Sequence, residues 1–340
     1  MHLEKDRWSW PTNLKLDISK YYLLATCLSK TSKEFEKNLT EWKRLQDFEE
    51  LDYESLRMIP RLSRLVEQFQ VLDENQPRYQ GIYKKSWVLN LSYISEVRNL
   101  FSELQQKKLP FIVKGNLSFA NHYYKEIGVL KSTGTEIVVR RKEVLRVVTI
   151  LEKNGYFSKG RFSKFSSIRI LAGGRVNFVG KSGCTIQVSL HCFPFHTVVS
   201  SETMLKNNTQ TVEWKDLKVQ ILIPELELLR LLLVGISGQR TPQLQWIMDS
   251  NILLEKEGDG FDWNLFKELT IQHDVPLLAG IGLEYMQKMG VSTIPTTIIN
   301  ELKSKSTFYS RIVFNSMKRR TKLGVILRFI IVLKYAIFSR

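Results

Sequence analysis

The sequence predicts an α+β fold, a small α/β core with a mixed sheet flanked by N-terminal and C-terminal helical regions. Three observations carry this. Apolar residues recur at three- and four-residue spacing up to about residue 108. From Leu109 the texture changes to short apolar runs bounded by glycine and proline. From Pro224 the helical period returns. The expected division is a helical region over 1–108, an α/β core over 109–223, a second helical region over 224–316 and a basic apolar terminal helix over 317–340.

Residues 12 to about 108 read as helical, with Leu45, Phe48 and Leu51, then Leu56, Ile59, Leu62, Leu65, Val66 and Phe69, at helical spacing. Asn75-Gln76-Pro77 breaks the pattern. A long helix follows, with Trp87, Leu91, Ile94, Val97, Leu100, Phe101 and Leu104 on one face. Pro110 to Val113 suits a buried strand, and Asn116 to about Glu126 a helix. Glu136 to Val139 is a second strand. Glu143 to Asn154 is a helix stopped at Gly155. Ser167–Leu171, Val176–Val179 and Thr185–Leu190 read as three more strands, with hairpin turns at Gly173-Gly174 and at Gly180 to Gly183. A strand over 217–223 closes the core. Pro224 opens the next helix, with Leu226, Leu229, Arg230 and Leu233 in register.

The 340 residues carry a net charge of +16, and it is unevenly placed. Residues 131–183 hold +9 and residues 301–340 another +9, so the rest of the chain is slightly acidic at −2. Such patches point to an anionic partner: nucleotide phosphates, nucleic acid or a membrane surface. Cys27, Cys184 and Cys192 are too few and too scattered for a disulfide framework or a zinc site, which suits a reducing compartment. The first eleven residues lack the apolar stretch of a signal peptide, and the cytoplasm is the expected location. The apolar run Leu323–Phe338 is interrupted by Arg328 and Lys334, too short and too charged to span a bilayer. With Lys318 to Lys322 before it, the segment 318–338 suits either peripheral attachment at the inner face of a membrane or a packed terminal helix.

The strand ending in Lys114-Gly115, the helix from Asn116, the strand Gly134 to Val139, and the later Val188-Ser189-Leu190-His191 follow one another in a telling order. Together they resemble the nucleotidyltransferase fold, in particular a bacterial family of uncharacterised nucleotidyltransferases. The resemblance runs over roughly 40–295. It takes in Asn154-Gly155-Tyr156, the segment Leu244 to Asp249, and Asp262-Trp263. In that family a Lys-Gly turn precedes a helix. An Asp-x-Asp pair follows on the next strand, and a third Asp lies on a later strand before a His.

The resemblance implies Mg²⁺-dependent transfer of a nucleoside monophosphate from a triphosphate to an acceptor hydroxyl. Such an in-line displacement depends on positioning and charge neutralisation. Two Mg²⁺ ions clamp the attacking and leaving oxygens, and they favour carboxylate ligands. Carboxylates at i and i+2 on a strand share a face, so one strand can hold both metals.

By this resemblance the turn is retained and the cage is not. Lys114, Gly115 and Asn116 fall on the phosphate-binding turn, with Lys131 and Arg140 as further nucleotide-binding cations. The carboxylate positions fall on Gly134, Glu136 and Ser189, followed by His191. Glu136 alone is an acid, able to hold a hydrated Mg²⁺ that arrives with the triphosphate but not two metals. Glu126 and Glu143 do not replace the missing pair. Three readings follow: a nucleotidyltransferase with impaired transfer, a non-catalytic nucleotide- or RNA-binding module using the basic patch, and a peripheral membrane protein. Phe157, Phe162 and Phe165 lie among the basic residues, where they either stack on nucleic acid or pack in the sheet.

Overall fold

In the computed structural model the residues described are 14–158, 165–171, 174–193, 208–237, 243–307, 310–311 and 314. The terminal segment 318–338, the cations Lys159, Arg161 and Lys164, Phe162, His196 and Gly173 lie outside them. Among the described residues no helix is long and apolar enough to cross a membrane.

The chain forms two compact units. The helical unit comprises the described residues of 1–76 and 224–340 together with Phe193. Its helices are α1 (Ile18–Leu28), α2 (Ser32–Leu45) and α3 (Tyr53–Gln68). Asp17, Thr31 and Asp52 cap their N-termini by accepting from backbone N–H groups. α2 ends at Leu45, and Phe48–Glu50 is a separate 3₁₀ turn. The spacing Leu45, Phe48, Leu51 therefore spans a helix end and not a helix face.

The other unit comprises the described residues of 77–192 and 208–223. It begins with α4 (Gln76–Gln106), so the sequence's first helical region divides between the two units. The strands are β1 (Phe111–Lys114), β2 (Gly134–Val139), β3 (Phe157–Ser158), β4 (Val176–Val179), β5 (Thr185–Ser189), β6 (Thr209–Trp214) and β7 (Leu217–Leu222). Between them lie α5 (Asn116–His122), α6 (Val144–Lys153) and α7 (Ser166–Leu171). The helical unit continues with α8 (Pro224–Ser237), α9 (Gln245–Glu257), α10 (Trp263–Gln272), α11 (Pro276–Lys288) and α12 (Thr296–Ser304).

The sheet is mixed, in the order β3-β4-β5-β2-β1-β7-β6. β1 runs antiparallel to β2 and parallel to β7, and β2 runs parallel to β5. Alternation assigns its faces. Phe111, Val113, Ile137, Val139, Ile186, Val188, Val219 and Ile221 join one apolar core. Ile94, Val97, Leu100, Phe101 and Leu104 of α4, and Val144, Val147, Val148 and Leu151 of α6, complete it. Phe101 anchors it, with ring centroids 4.9 Å from Phe111 and 5.4 Å from Trp214. Trp87 is exposed and lies outside this face. Lys114, Glu136 and Gln187 sit at the alternate positions, on the sheet's other face.

Three elements differ from the sequence reading, the first being the two-residue edge strand β3, which the reading did not contain. Ser166–Leu171 is a helix and not a strand. Ser166 and Ile170, four residues apart, are buried, whereas Ile168 is 64% exposed. That is one face of a helical turn, which two isoleucines in alternation mimic as a strand. β6 has no counterpart in the reading, because it is an edge strand of polar and half-exposed residues until Trp214.

Candidate functional site

β1 is apolar until its last residue, so the chain leaves the core at Lys114. Gly115 follows at φ 89° and starts α5, where the Phe119 N–H donates to the Gly115 carbonyl at 2.9 Å. The antiparallel register sets Lys114 opposite Glu136. The two side chains form an ion pair, with the Lys114 side chain 2% exposed and that of Glu136 27%. Gly115 is required twice over. Its φ suits glycine, and a Cβ there would come 3.1 Å from Glu136 Cγ and 3.3 Å from Oε1. The Glu136 carboxylate thus lies against the turn itself.

Gly134, at the start of β2, has φ 147°. A Cβ on it would fall 1.9 Å from the Thr185 carbonyl oxygen and 2.7 Å from the Thr185 carbonyl carbon and amide nitrogen. No side chain fits there without parting β2 from β5. The surrounding hydrogen bonds hold the approach. The Gly134 N–H donates to Ser132 Oγ at 3.0 Å, and the Thr185 N–H donates to the Thr133 carbonyl at 2.9 Å. Ser132 Oγ in turn donates to the Gly134 carbonyl at 2.9 Å.

Ser189 is buried, and its Oγ donates to the His191 carbonyl at 3.0 Å. Its hydroxyl closes the turn that ends β5. Glu136 is in register with Gln187 and not with Ser189, whose partner is Val138. Ser189 therefore stands one alternate position, or about 6.6 Å, along the strand from the Glu136 rung. Gln187 Nε2 donates to Asn177 Oδ1 at 2.8 Å, and Asn177 is its partner on β4. The result is a row across four strands, Lys114, Glu136, Gln187 and Asn177.

Gln187 and Asn177 were not singled out from the sequence. The available signal was that Gln187 lies two residues before Ser189, on the same face. Lys131 is half-buried, three residues before Gly134 at this end of β2. Asn116 opens α5 and is half-buried. Arg140 is elsewhere. It follows Val139, the partner of Phe111, at the end of the β1–β2 pair remote from Lys114. The two other acids weighed are engaged: Glu126 Oε2 accepts from Tyr83 Oη at 2.6 Å, and Glu143, beyond Arg140, pairs with Arg146 at 3.0 Å.

The arrangement does not fit the two-metal cage that the resemblance implies. Among the described residues no group of three or more His, Cys, Asp and Glu side chains could hold a metal ion. Glu136 is the one carboxylate of the row, and an ammonium already faces it. Gly134 has no space for a carboxylate, and Ser189 spends its proton on a carbonyl. What remains is an internally neutral pair beside a glycine turn.

A family model described as uncharacterised nucleotidyltransferase matches residues 54–290. No curated protein and no solved structure matches the chain.

Proposed function

Since the chain belongs to the uncharacterised nucleotidyltransferase family, we propose that it holds a nucleoside triphosphate or other phosphate-bearing ligand at the Lys114 end of the sheet, and that metal-dependent transfer there is impaired. One observation supports this above the others. The position aligned with the first cage carboxylate, Gly134, is closed to any side chain by the Thr185 carbonyl. Charge follows the same logic. A cage of three carboxylates repels a triphosphate until metals bridge the two. Here Lys114 neutralises the single acid, and Lys131 adds a cation on the same end of β2. A polyphosphate then meets a neutral-to-positive surface with no bridging metal. His191 carries its carbonyl to Ser189 and supplies no assigned chemical step.

The test pairs binding with turnover. Labelled triphosphates are titrated with and without chelator, and transfer to candidate acceptors is followed with Mg²⁺ and Mn²⁺. Binding that survives chelator, weakens with salt and is not followed by transfer agrees with the proposal. Robust transfer abolished by Glu136→Ala, or binding abolished by chelator, overturns it.

A second reading, single-stranded nucleic acid as the ligand, rests on a separate observation. Phe157 and Phe165 are 56% and 57% exposed, and so are not buried in the core of the sheet. Ser166 Oγ donates to Ser158 Oγ at 2.8 Å, which brings the two segments together. Exposed aromatics among Arg169, Arg175 and Lys181 suit base stacking beside phosphate contacts. Loss of oligonucleotide affinity in a Phe157→Ala, Phe165→Ala variant supports this reading, and unchanged affinity removes it.

A further inference from the structure

A cavity of about 490 Å³ opens among Gln105, Phe111, Arg140, Lys218, Gln220 and Thr209. It runs along β7 from the strand ends remote from Lys114, where Arg140 and Lys218 lie, to Thr209, the partner of Leu222. Its size lies within the range of small-molecule sites. The topology builds it. Phe111 begins β1, Arg140 follows the partner of Phe111 on β2, and Lys218 is near the start of β7, which runs parallel to β1. Gln105 Nε2 donates to the Lys218 carbonyl at 2.6 Å and ties the end of α4 to β7. Arg140 is four positions from Glu136, about 13 Å along a strand, so the Arg140–Lys218 end of the cavity lies apart from the Lys114–Glu136 pair.

The lining carries two cations and no carboxylate. Among the described residues no ion pair occupies Arg140 or Lys218. Glu213 is the cross-strand neighbour of Lys218, yet it does not pair with it and does not line the cavity. Arg140 Nε is buried and has no hydrogen-bond partner among the described residues. A buried donor left unpaired is costly, on the order of 1–3 kcal/mol. Arg140 lines the cavity, and a guanidinium fork matches two oxygens of a phosphate at once.

We infer that this cavity is a second anion site, which takes the phosphate group of a small phosphorylated molecule between Arg140 and Lys218. Arg140 supplies the two-pronged contact, Lys218 supplies a second charge, and Gln220 and Thr209 supply neutral polar groups for the rest of the ligand. This inference is independent of the reading of the Lys114 end.

Isothermal titration tests it with inorganic phosphate, glucose 6-phosphate and adenosine monophosphate as separate probes. The expected result is saturable binding of a phosphate-bearing probe, weakened at least tenfold by Arg140→Gln and by Lys218→Gln. Lys153→Gln, which removes an exposed charge from α6, should leave it within twofold. Thermal denaturation confirms that the variants fold. Should Arg140→Gln fail to fold, Lys218→Gln carries the test, because that side chain is exposed on a strand. The three probes identify the organic part of the ligand. No saturable binding of any probe, or an equal loss in Lys153→Gln, overturns the inference.

Discussion

Placing any side chain at Gly134 puts its Cβ 1.9 Å from the Thr185 carbonyl oxygen, where a non-bonded carbon requires well over 3 Å. The substitution Gly134→Ala isolates that collision, and Gly134→Asp adds the family's carboxylate to it. Two costs combine. A non-glycine residue at φ 147° bears backbone strain of about 1–3 kcal/mol. Relieving the overlap means moving β2 from β5, across the Thr185-to-Thr133 hydrogen bond, and overpacking of this kind costs about 1–3 kcal/mol more. The sum is about 2–6 kcal/mol, or a fall in Tm of roughly 5–20 °C for a unit of this size. Thermal and urea denaturation of Gly134→Ala, Gly134→Asp and the parent measure it, with Ser189→Asp as a companion on the neighbouring strand. A Gly134→Asp variant that melts with the parent and gains metal-dependent transfer would refute the reasoning. It would show that the missing aspartate is a mere sequence change on an intact cage.

Glu136→Gln leaves the buried Lys114 ammonium without its countercharge, and urea denaturation should show a loss of about 2 kcal/mol. Lys114→Met in the same background should recover part of that loss, as the coupling of a double-mutant cycle. His273 is 1% exposed, both its ring nitrogens lack a partner among the described residues, and burial lowers its pKa to about 4. The unfolded chain, with a pKa near 6.5, takes up the proton first. Stability should therefore fall as pH drops from about 6.5 to about 4, by up to about 3 kcal/mol from this residue. His273→Phe should flatten that part of the pH–stability curve relative to the parent, and an unchanged slope would contradict it. Burial pushes the Cys27 and Cys184 thiols up to about 12, and Cys192 is buried as well. All three should resist thiol reagents at pH 8 in the native protein and react fully in denaturant.

Much of the sheet was legible in the sequence because its strands alternate around a single core. The run Phe111 to Lys114 is bounded by Pro110 and Gly115, and Gly134 to Val139 reads as apolar beyond Glu136. The helices beginning at Val144 and Pro224 carry clear apolar periodicity. Ser166–Leu171 misled because a single helical turn is too short for its period to outweigh two alternating isoleucines. β6 was silent because an edge strand buries little of its surface. The resemblance selected Lys114, Gly115, Gly134, Glu136 and Ser189 for attention. It could not show that Lys114 faces Glu136, since that pairing depends on β1–β2 register across 22 residues of chain. Nor could it separate Arg140 from Lys114. The two lie on adjacent strands, and only the antiparallel direction sends them to opposite ends. The collision at Gly134 comes from the backbone of β5, about 50 residues away, and no local pattern reports it.

A lysine–glutamate pair and a closed glycine stand at positions where the resemblance leads one to expect metal-binding carboxylates. Mn²⁺ titration followed by electron paramagnetic resonance, with a non-hydrolysable triphosphate present, tests most directly whether metals bind there. The account predicts no Mn²⁺ beyond that carried by the triphosphate itself, and no change on Glu136→Gln. Two Mn²⁺ ions per chain, released by Glu136→Gln, would contradict it.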